Sequence, residues 1–308
     1  MIAVESLTHS YDKTRVVLDA VAFEVRAGSV TGLVGPNGAG KTTLMRTIAT
    51  LLRPRAGRVT VDGHDVVRAP ERARRALGFL PERTTPYLDL TCAEHLEFFA
   101  RASGVPAGER GTRITRALEM AGLQDRRDAT VKELSKGLRQ RLALQATLIH
   151  GPRALVLDEP TDGLDPGSRG EVLASIKALA RAGRAVLISS HVLSEIEEVS
   201  DEVVILVDGK RQDGAPAAAT APVFRVRVRD RADEAERTLS TLASVASVIQ
   251  DEDALQVTLA IGVADAGDVA AALVRAGFTL TALEAMEATL ANTYRDVVAR
   301  SRDGGRRS

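Results

Sequence analysis

"GLVGPNGAGKTTLMRT", residues 32–47, sets Gly35, Gly38 and Gly40 closely ahead of Lys41, Thr42 and Thr43. Val30 to Val34 reads as a short buried strand and Leu44 to Leu52 as the apolar face of a helix, so the glycines fall at a strand-to-helix turn. Gly35, Gly40, Lys41 and Thr42 fit G-x-x-x-x-G-K-[ST], in which backbone N–H groups and a helix N-terminus bind phosphate oxygens. In that chemistry the loop through Asn37, Gly38 and Ala39 cradles the phosphates, Lys41 reaches the terminal ones, Thr42 holds Mg²⁺ and Thr43 is a further nucleotide-binding position. With glycine near 7% of residues, this pattern arises by chance in roughly one chain in a hundred of this length, so the flanking strand and helix decide for a nucleotide.

Working outward, "ALVLDEP" at 154–160 is an apolar run ending in two carboxylates. Such a buried strand delivers both to its C-terminal end, where doubly wound sheets bind ligands. Asp158 is expected to hold Mg²⁺ through water and Glu159 to orient and polarise an attacking water, since phosphoryl transfer needs positioning and charge stabilisation more than covalent chemistry.

Composition narrows the class. A chain of 308 residues implies two domains or three. Its 41 basic and 41 acidic residues balance, and aromatics make up 3% with no Trp, so neither a polyanion field nor a base-stacking platform points to nucleic acid. The single cysteine, Cys92, excludes an internal disulfide; it is expected to be small and buried. The opening "MIAVESLTHSYDK" lacks the blocks of a signal peptide, and no uncharged apolar run reaches the roughly 18 residues of a membrane span. The expectation is a cytosolic chain that meets a membrane through a partner.

Residues 2–30 and "GRVTVDG" at 57–63 alternate apolar and polar residues, as in a small antiparallel sheet. Val30 to Val34, Ala154 to Asp158, Ala185 to Ser189 and Val203 to Val207 are short strands reached after helix-like stretches, which predicts a largely parallel sheet with helices on both faces. From about 91 to 150 the pattern is helical throughout and reads as an insertion. "DGKRQDGAPAAATAP" is Gly-, Ala- and Pro-rich, and its end at 216–222 reads as a linker that separates the first domain, 1–215, from a small α+β domain at 223–301, in which Phe224, Val226 and Val228 share one strand face; "RDGGRRS", 302–308, reads as a disordered basic tail. There is no internal repeat.

"GPNGAGKTT", "LSKGLRQRL", "LVLDEPTDGLDP" and "SSHVLSEIEEVSDEVVIL" follow one another as in the ATP-binding cassette family, the ATPases that drive membrane transporters, and the chain resembles that family from residue 1 to about 215. The resemblance implies a P-loop ATPase fold and two chains sandwiching two ATP molecules. Ser135, Lys136 and Gly137 resemble the family's signature motif, which caps the γ-phosphate held by the other subunit. They stand at the start of an apolar-periodic helix whose N–H groups suit an anion. Half a site on each face demands a two-fold homodimer. By the same resemblance Tyr11 stacks on adenine, His191 contacts the γ-phosphate and the catalytic water, and Asp165 joins the subunits. His9, His64, His95 and His150 match no motif position and are read as surface or packing residues.

Glu82 stands where the family usually has a glutamine that senses Mg²⁺, which makes it a further candidate for the metal. Lys136 replaces a glycine and Leu138 a glutamine. With "MEATLANTYRDVV" near the end, these departures resemble the exporters whose ATPase and membrane permease are separate chains and whose cargoes are drugs, antibiotics, ions or lipid-linked sugars. The implied protein is peripheral on the cytoplasmic face of the membrane, and the cargo pocket lies in the partner chain. Two other readings have less support: a soluble relative acting on ribosomes or DNA, which would usually carry two cassettes or a long coiled coil, and a small-molecule kinase, which has no use for LSKG.

Overall fold

A computed structural model describes residues 1–12, 15–83, 87–212, 222–251, 254–260, 263, 266–286, 290 and 294. It divides into two compact units, Met1–Gln212 and Asp213–Ser308. The predicted tail and all of the predicted linker except Pro222 lie outside the described residues, as does most of MEATLANTYRDVV.

The first unit begins with strands β1 (Ile2–Ser10), β2 (Val16–Val25) and β3 (Val30–Val34), then helix α1 (Lys41–Ile48). Strands β4 (Ala56–Val61) and β5 (His64–Asp65), helix α2 (Pro70–Ala76) and strand β6 (Leu77–Leu80) follow. The helical region contains α3 (Cys92–Ala102), α4 (Ala107–Ala121) and α5 (Lys136–Leu148). After it, β7 (Ala154–Asp158), α6 (Pro166–Arg181), β8 (Ala185–Ser189), α7 (Leu193–Val199), β9 (Glu202–Val207) and β10 (Lys210–Gln212) complete the unit.

Two sheets result. The antiparallel one runs β2-β1-β4-β5, and along β2 Val21, Phe23 and Val25 are buried while Ala22 and Glu24 are exposed, because one side faces the core. The other runs β10-β9-β3-β8-β7-β6 and is parallel apart from the β9–β10 hairpin. Every residue of β3, β7 and β8 is buried, which is why those segments read as unbroken apolar runs. Leu44, Met45 and Ile48 on one side of α1 pack with Leu33, Val156 and Leu187, each large side chain contributing about 1.5–3 kcal/mol. The expected mixed α/β core with its antiparallel subdomain is therefore present. Strands β6 and β10 were not expected; both are very short, and β6 follows its helix without a Gly or Pro break.

The helical region has its own core, in which Leu96, Ile114, Leu118, Leu123, Val131 and Leu142 meet, with Cys92 buried among them as expected. Helix does not run throughout it: between α4 and α5 the chain makes two short 3₁₀ turns, Gln124–Arg126 and Val131–Glu133. Gly122, left-handed at φ 66°, ends α4 and forces that break. Thr91 and Glu94 start α3 with a reciprocal capping box.

The second unit is β11 (Val223–Val228), α8 (Ala232–Ser240), β12 (Val245–Asp251), β13 (Ala254–Leu259), α9 (Gly267–Arg275) and β14 (Leu280–Met286). This βαββαβ chain forms an antiparallel sheet ordered β12-β13-β11-β14. Phe224, Val226 and Val228 face Leu239, Val269 and Leu273 of the helices, the α+β arrangement predicted from FRVRVRD.

Candidate functional site

Four parallel strands end at one place. β3 leads into the glycine loop, β6 into the segment carrying Glu82, β7 into Asp158 and Glu159, and β8 into Ser189, Ser190 and His191. Their carboxyl ends border a cleft of about 760 Å³. Tyr11, Asn37, Gly38, Ala39, Gly40, Lys41, Thr42, Thr43, Glu82, Asp158, Glu159 and His191 all line it. Twelve positions chosen from five separated stretches of sequence thus share one surface.

The loop is built for close approach. Gly38 and Gly40 are left-handed, at φ 83° and 103°. A side chain at Gly35 would collide with the Leu206 carbonyl oxygen, so Gly35 serves the loop from beneath rather than from the cleft wall. α1 starts from Gly40 with no side-chain cap and no acidic residue in its first turn, which leaves its N–H groups and its positive dipole end for an anion. Lys41 Nζ donates to the Gly35 carbonyl at 2.6 Å and more weakly to that of Pro36 at 3.4 Å. Burial lowers the Lys41 pKa from the ordinary lysine value, opposed by the charges of Glu159, Asp158 and Glu82.

Opposite lies the acidic pair. Asp158, 3% exposed, accepts from Ser189 Oγ at 2.7 Å, and the same Oγ accepts from the Glu159 backbone N–H at 3.0 Å. Glu159 is left-handed at φ 50°, a conformation that costs a non-glycine residue about 1–3 kcal/mol and persists only where surroundings impose it. Its Oε2 accepts from both the backbone N–H and Nδ1 of His191, at 3.1 and 2.8 Å. A carboxylate can only accept, so Nδ1 carries the proton in that bond. Tyr11 stands at the mouth, 61% exposed, its hydroxyl 3.0 Å from Thr43 Oγ1 and its ring edge-on to His9.

Ser135, Lys136, Gly137 and Asp165 do not line this cleft. Ser135 caps α5, accepting from Leu138 N–H at 3.3 Å. Gly137 is buried against α6, where a Cβ would come within 2.6 Å of Ser168 Oγ. Lys136 reaches towards Asp162, at 3.9 Å. Asp165 caps α6 by accepting from Ser168 N–H at 3.0 Å, and the bonds from Ser168 hold its carboxyl below the usual range. His95 and Cys92 belong to the helical core, His9 bonds the Arg53 carbonyl and His150 that of Leu77.

Sequence reasoning did not single out several residues here. Asp12, Arg15, Val17 and Asp162 also line the cleft. Ser189 bridges the two acidic residues, and Gln140 Nε2 donates to the Pro160 carbonyl at 2.8 Å. Gln140, Asp162 and Ser189 lie inside motifs already quoted; Asp12, Arg15 and Val17 carry no local signal.

Comparison with known proteins identifies the family. Residues 18–162 match the family described as "ABC transporter". The daunorubicin/doxorubicin resistance ATP-binding protein DrrA of Streptomyces peucetius is 36% identical over 259 residues, 82% of this chain and 78% of that protein. The Nod factor export ATP-binding protein I of Ralstonia nicotianae is 37% identical over 211 residues, 68% of this chain and 65% of that protein, just under two thirds of its length. A solved structure of the ATP binding subunit of an ABC transporter superimposes with a TM-score of 0.64 at 29% identity, covering 78% of this chain and 93% of that one.

Proposed function

This chain belongs to the ABC transporter family, and from that premise we propose that it is the ATP-hydrolysing subunit that powers export of a drug, antibiotic, ion or lipid-linked sugar through a separate transmembrane permease. The observation that carries the reading is the meeting of phosphate loop, Asp158, Glu159 and His191 in one cleft at the ends of parallel strands. Glu159 orients the attacking water: its Oε2 is held by His191, while Oε1 accepts no bond among the described residues. His191 in turn is assigned to contact the γ-phosphate and the catalytic water. Lys41 gives up its bonds to Gly35 and Pro36 for the terminal phosphates.

Among the described residues no three His, Cys, Asp or Glu side chains form a metal cluster. That suits Mg²⁺, which keeps several waters and binds through one or two protein groups together with substrate phosphates. Thr42 and Asp158 fit that role, with Glu82 in the same cleft as a further candidate. Bound there, the ion would neutralise charge developing on the phosphates.

Ser135, Lys136 and Gly137, outside the cleft of their own chain, would close the cleft of a second copy, with Asp165 at the junction. This makes the active form a two-fold homodimer. No helix among the described residues is long and apolar enough to cross a membrane, so attachment at the cytoplasmic face is assigned to the permease. The relatives named for drug resistance and Nod factor export favour export.

The reading is tested by measuring Mg-ATP turnover of the purified chain and by identifying what co-purifies with it from membranes. Turnover together with a polytopic membrane protein is expected. Nucleotide turnover with ribosomes or DNA as the only companions would sink the exporter reading.

Tyr11 gives a sharper test. If its exposed ring is the adenine platform, Tyr11→Ala should weaken nucleotide binding by about 1–3 kcal/mol. ATP and GTP should suffer alike, because stacking does not read base edges. Equal affinity for a fluorescent ATP analogue before and after the change would leave Tyr11 as a turn residue.

A further inference from the structure

Glu195, on α7, is 4% exposed and touches both halves of the acidic centre without lining the cleft. Its Oε2 accepts from Thr161 Oγ1 at 2.6 Å and from Ser190 Oγ at 2.7 Å. Thr161 stands two residues after Glu159, and Ser190 directly precedes His191. Its Oε1 lies 3.0 Å from Arg169 Nε, on the helix that follows the Asp162–Asp165 loop. Ser190 Oγ also accepts from the Val192 N–H at 3.0 Å, which fixes the turn on which His191 sits. One buried carboxylate therefore joins the strand end that carries Glu159 to the strand end that carries His191, and ties both to α6.

We infer that Glu195 is a positioning residue for the Glu159–His191 pair. Taking a carboxylate out of water costs several kcal/mol, and a pair such as Arg169–Glu195 often does no better than apolar packing. Stability is therefore a weak reason for a charge at this place. The geometry supplies a stronger one. Glu159 is held in a left-handed conformation and bonded to His191 through a single oxygen, so a small displacement of either strand end would break the 2.8 Å contact. Ser189 Oγ ties the two strand ends at the Glu159 N–H, and Thr161 and Ser190 add a second tie beyond it, both donating to the same atom. An amide fits only with both short bonds reversed: Gln would turn its oxygen to Arg169 and its NH₂ to the Thr161 and Ser190 oxygens, losing the charge that now accepts from both hydroxyls.

The inference rests on the proposed ATPase function, with Glu159 as the base, and the test separates the two. Glu195→Gln in the full-length chain should lower kcat for Mg-ATP by about 10- to 100-fold, as small misplacements of reacting groups do. Affinity for a fluorescent ATP analogue should stay within about twofold. Thr161→Val should act in the same direction, and Thr161→Ser, which restores the hydroxyl, should recover the rate; this pair carries the test if Glu195→Gln does not fold. In a Glu159→Gln background, Glu195→Gln should lower the residual rate no further, because positioning has nothing left to position. A fold-only role predicts losses that follow the melting temperature and multiply in the Glu159→Gln background. Either that pattern, or wild-type kcat in both Glu195→Gln and Thr161→Val, overturns the inference alone. A wild-type chain without Mg-ATP turnover takes down the proposed function and this inference with it.

Discussion

Glu159→Gln is expected to keep ATP bound while lowering hydrolysis by about 10²- to 10⁴-fold, the range for loss of a positioned general base. The change preserves shape and removes the charge that polarises water. The amide can still accept the His191 N–H through its oxygen, so the loop and its left-handed turn should persist. Phosphate binding is assigned to Lys41, Thr42 and the uncapped N-terminus of α1, none of which is touched. ATP should consequently hold two copies together without being consumed. Gel filtration with Mg-ATP should show a lasting dimer for the variant and a transient one for the wild type. Turnover near the wild-type rate would remove Glu159 from the role of base.

The other large effect tests the composite site. Lys41→Ala should disable the phosphate-loop half of both sites in a homodimer, and Ser135→Arg should block the signature half of both, so each variant by itself should be inactive. Ser135 Oγ also caps α5, and losing that bond costs about 1 kcal/mol, so a melting curve must first show that the Ser135→Arg chain is folded. A mixed dimer differs from either parent. One of its sites pairs the intact loop of the Ser135→Arg chain with the intact signature of the Lys41→Ala chain; the other site holds both lesions. Mixing the two inactive proteins under conditions that exchange subunits should restore ATP-dependent pairing and part of the hydrolysis. Placing both lesions on one chain and mixing it with a Glu159→Gln subunit should abolish the rescue. If exchanged mixtures stay as inactive as the parents while wild-type mixtures recover, Ser135 does not act across a dimer and the sandwich is wrong for this chain.

Much of the site could be read from the chain because its parts are contiguous. A phosphate loop needs glycines where φ is positive or where the backbone approaches another strand. Gly35, Gly38 and Gly40 meet those needs within six residues, ahead of Lys41 and Thr42. Asp158 and Glu159 end an apolar run because β7 is buried on both faces until the strand stops at the cleft. The FRVRVRD alternation likewise announced a strand with one covered face. In each case the pattern records a local requirement of backbone geometry or burial, which sequence spacing expresses directly.

What the chain by itself determined, then, is the set of elements and the short loops that carry phosphate-binding and acidic groups. Only the tertiary structure decided how those loops are held against each other. Glu82 reaches the cleft because β6 pairs with β7 in parallel, Leu80 opposite Leu157, and a four-residue strand has too short a period to announce itself. Gly137 is small because α5 lies against Ser168 of α6, a requirement of helix packing rather than of the signature turn. Glu195 reads as one more acidic residue in LSEIEEV, yet it is buried against Thr161, Ser190 and Arg169. Its partners come from three elements, and their 2.6 to 3.0 Å separations are fixed by the register of β7 on β8 and by the seating of α6 and α7. A hydrogen bond tolerates a few tenths of an ångström, and sequence spacing constrains distances that finely only within a turn or a single helix; across the sheet, packing sets them.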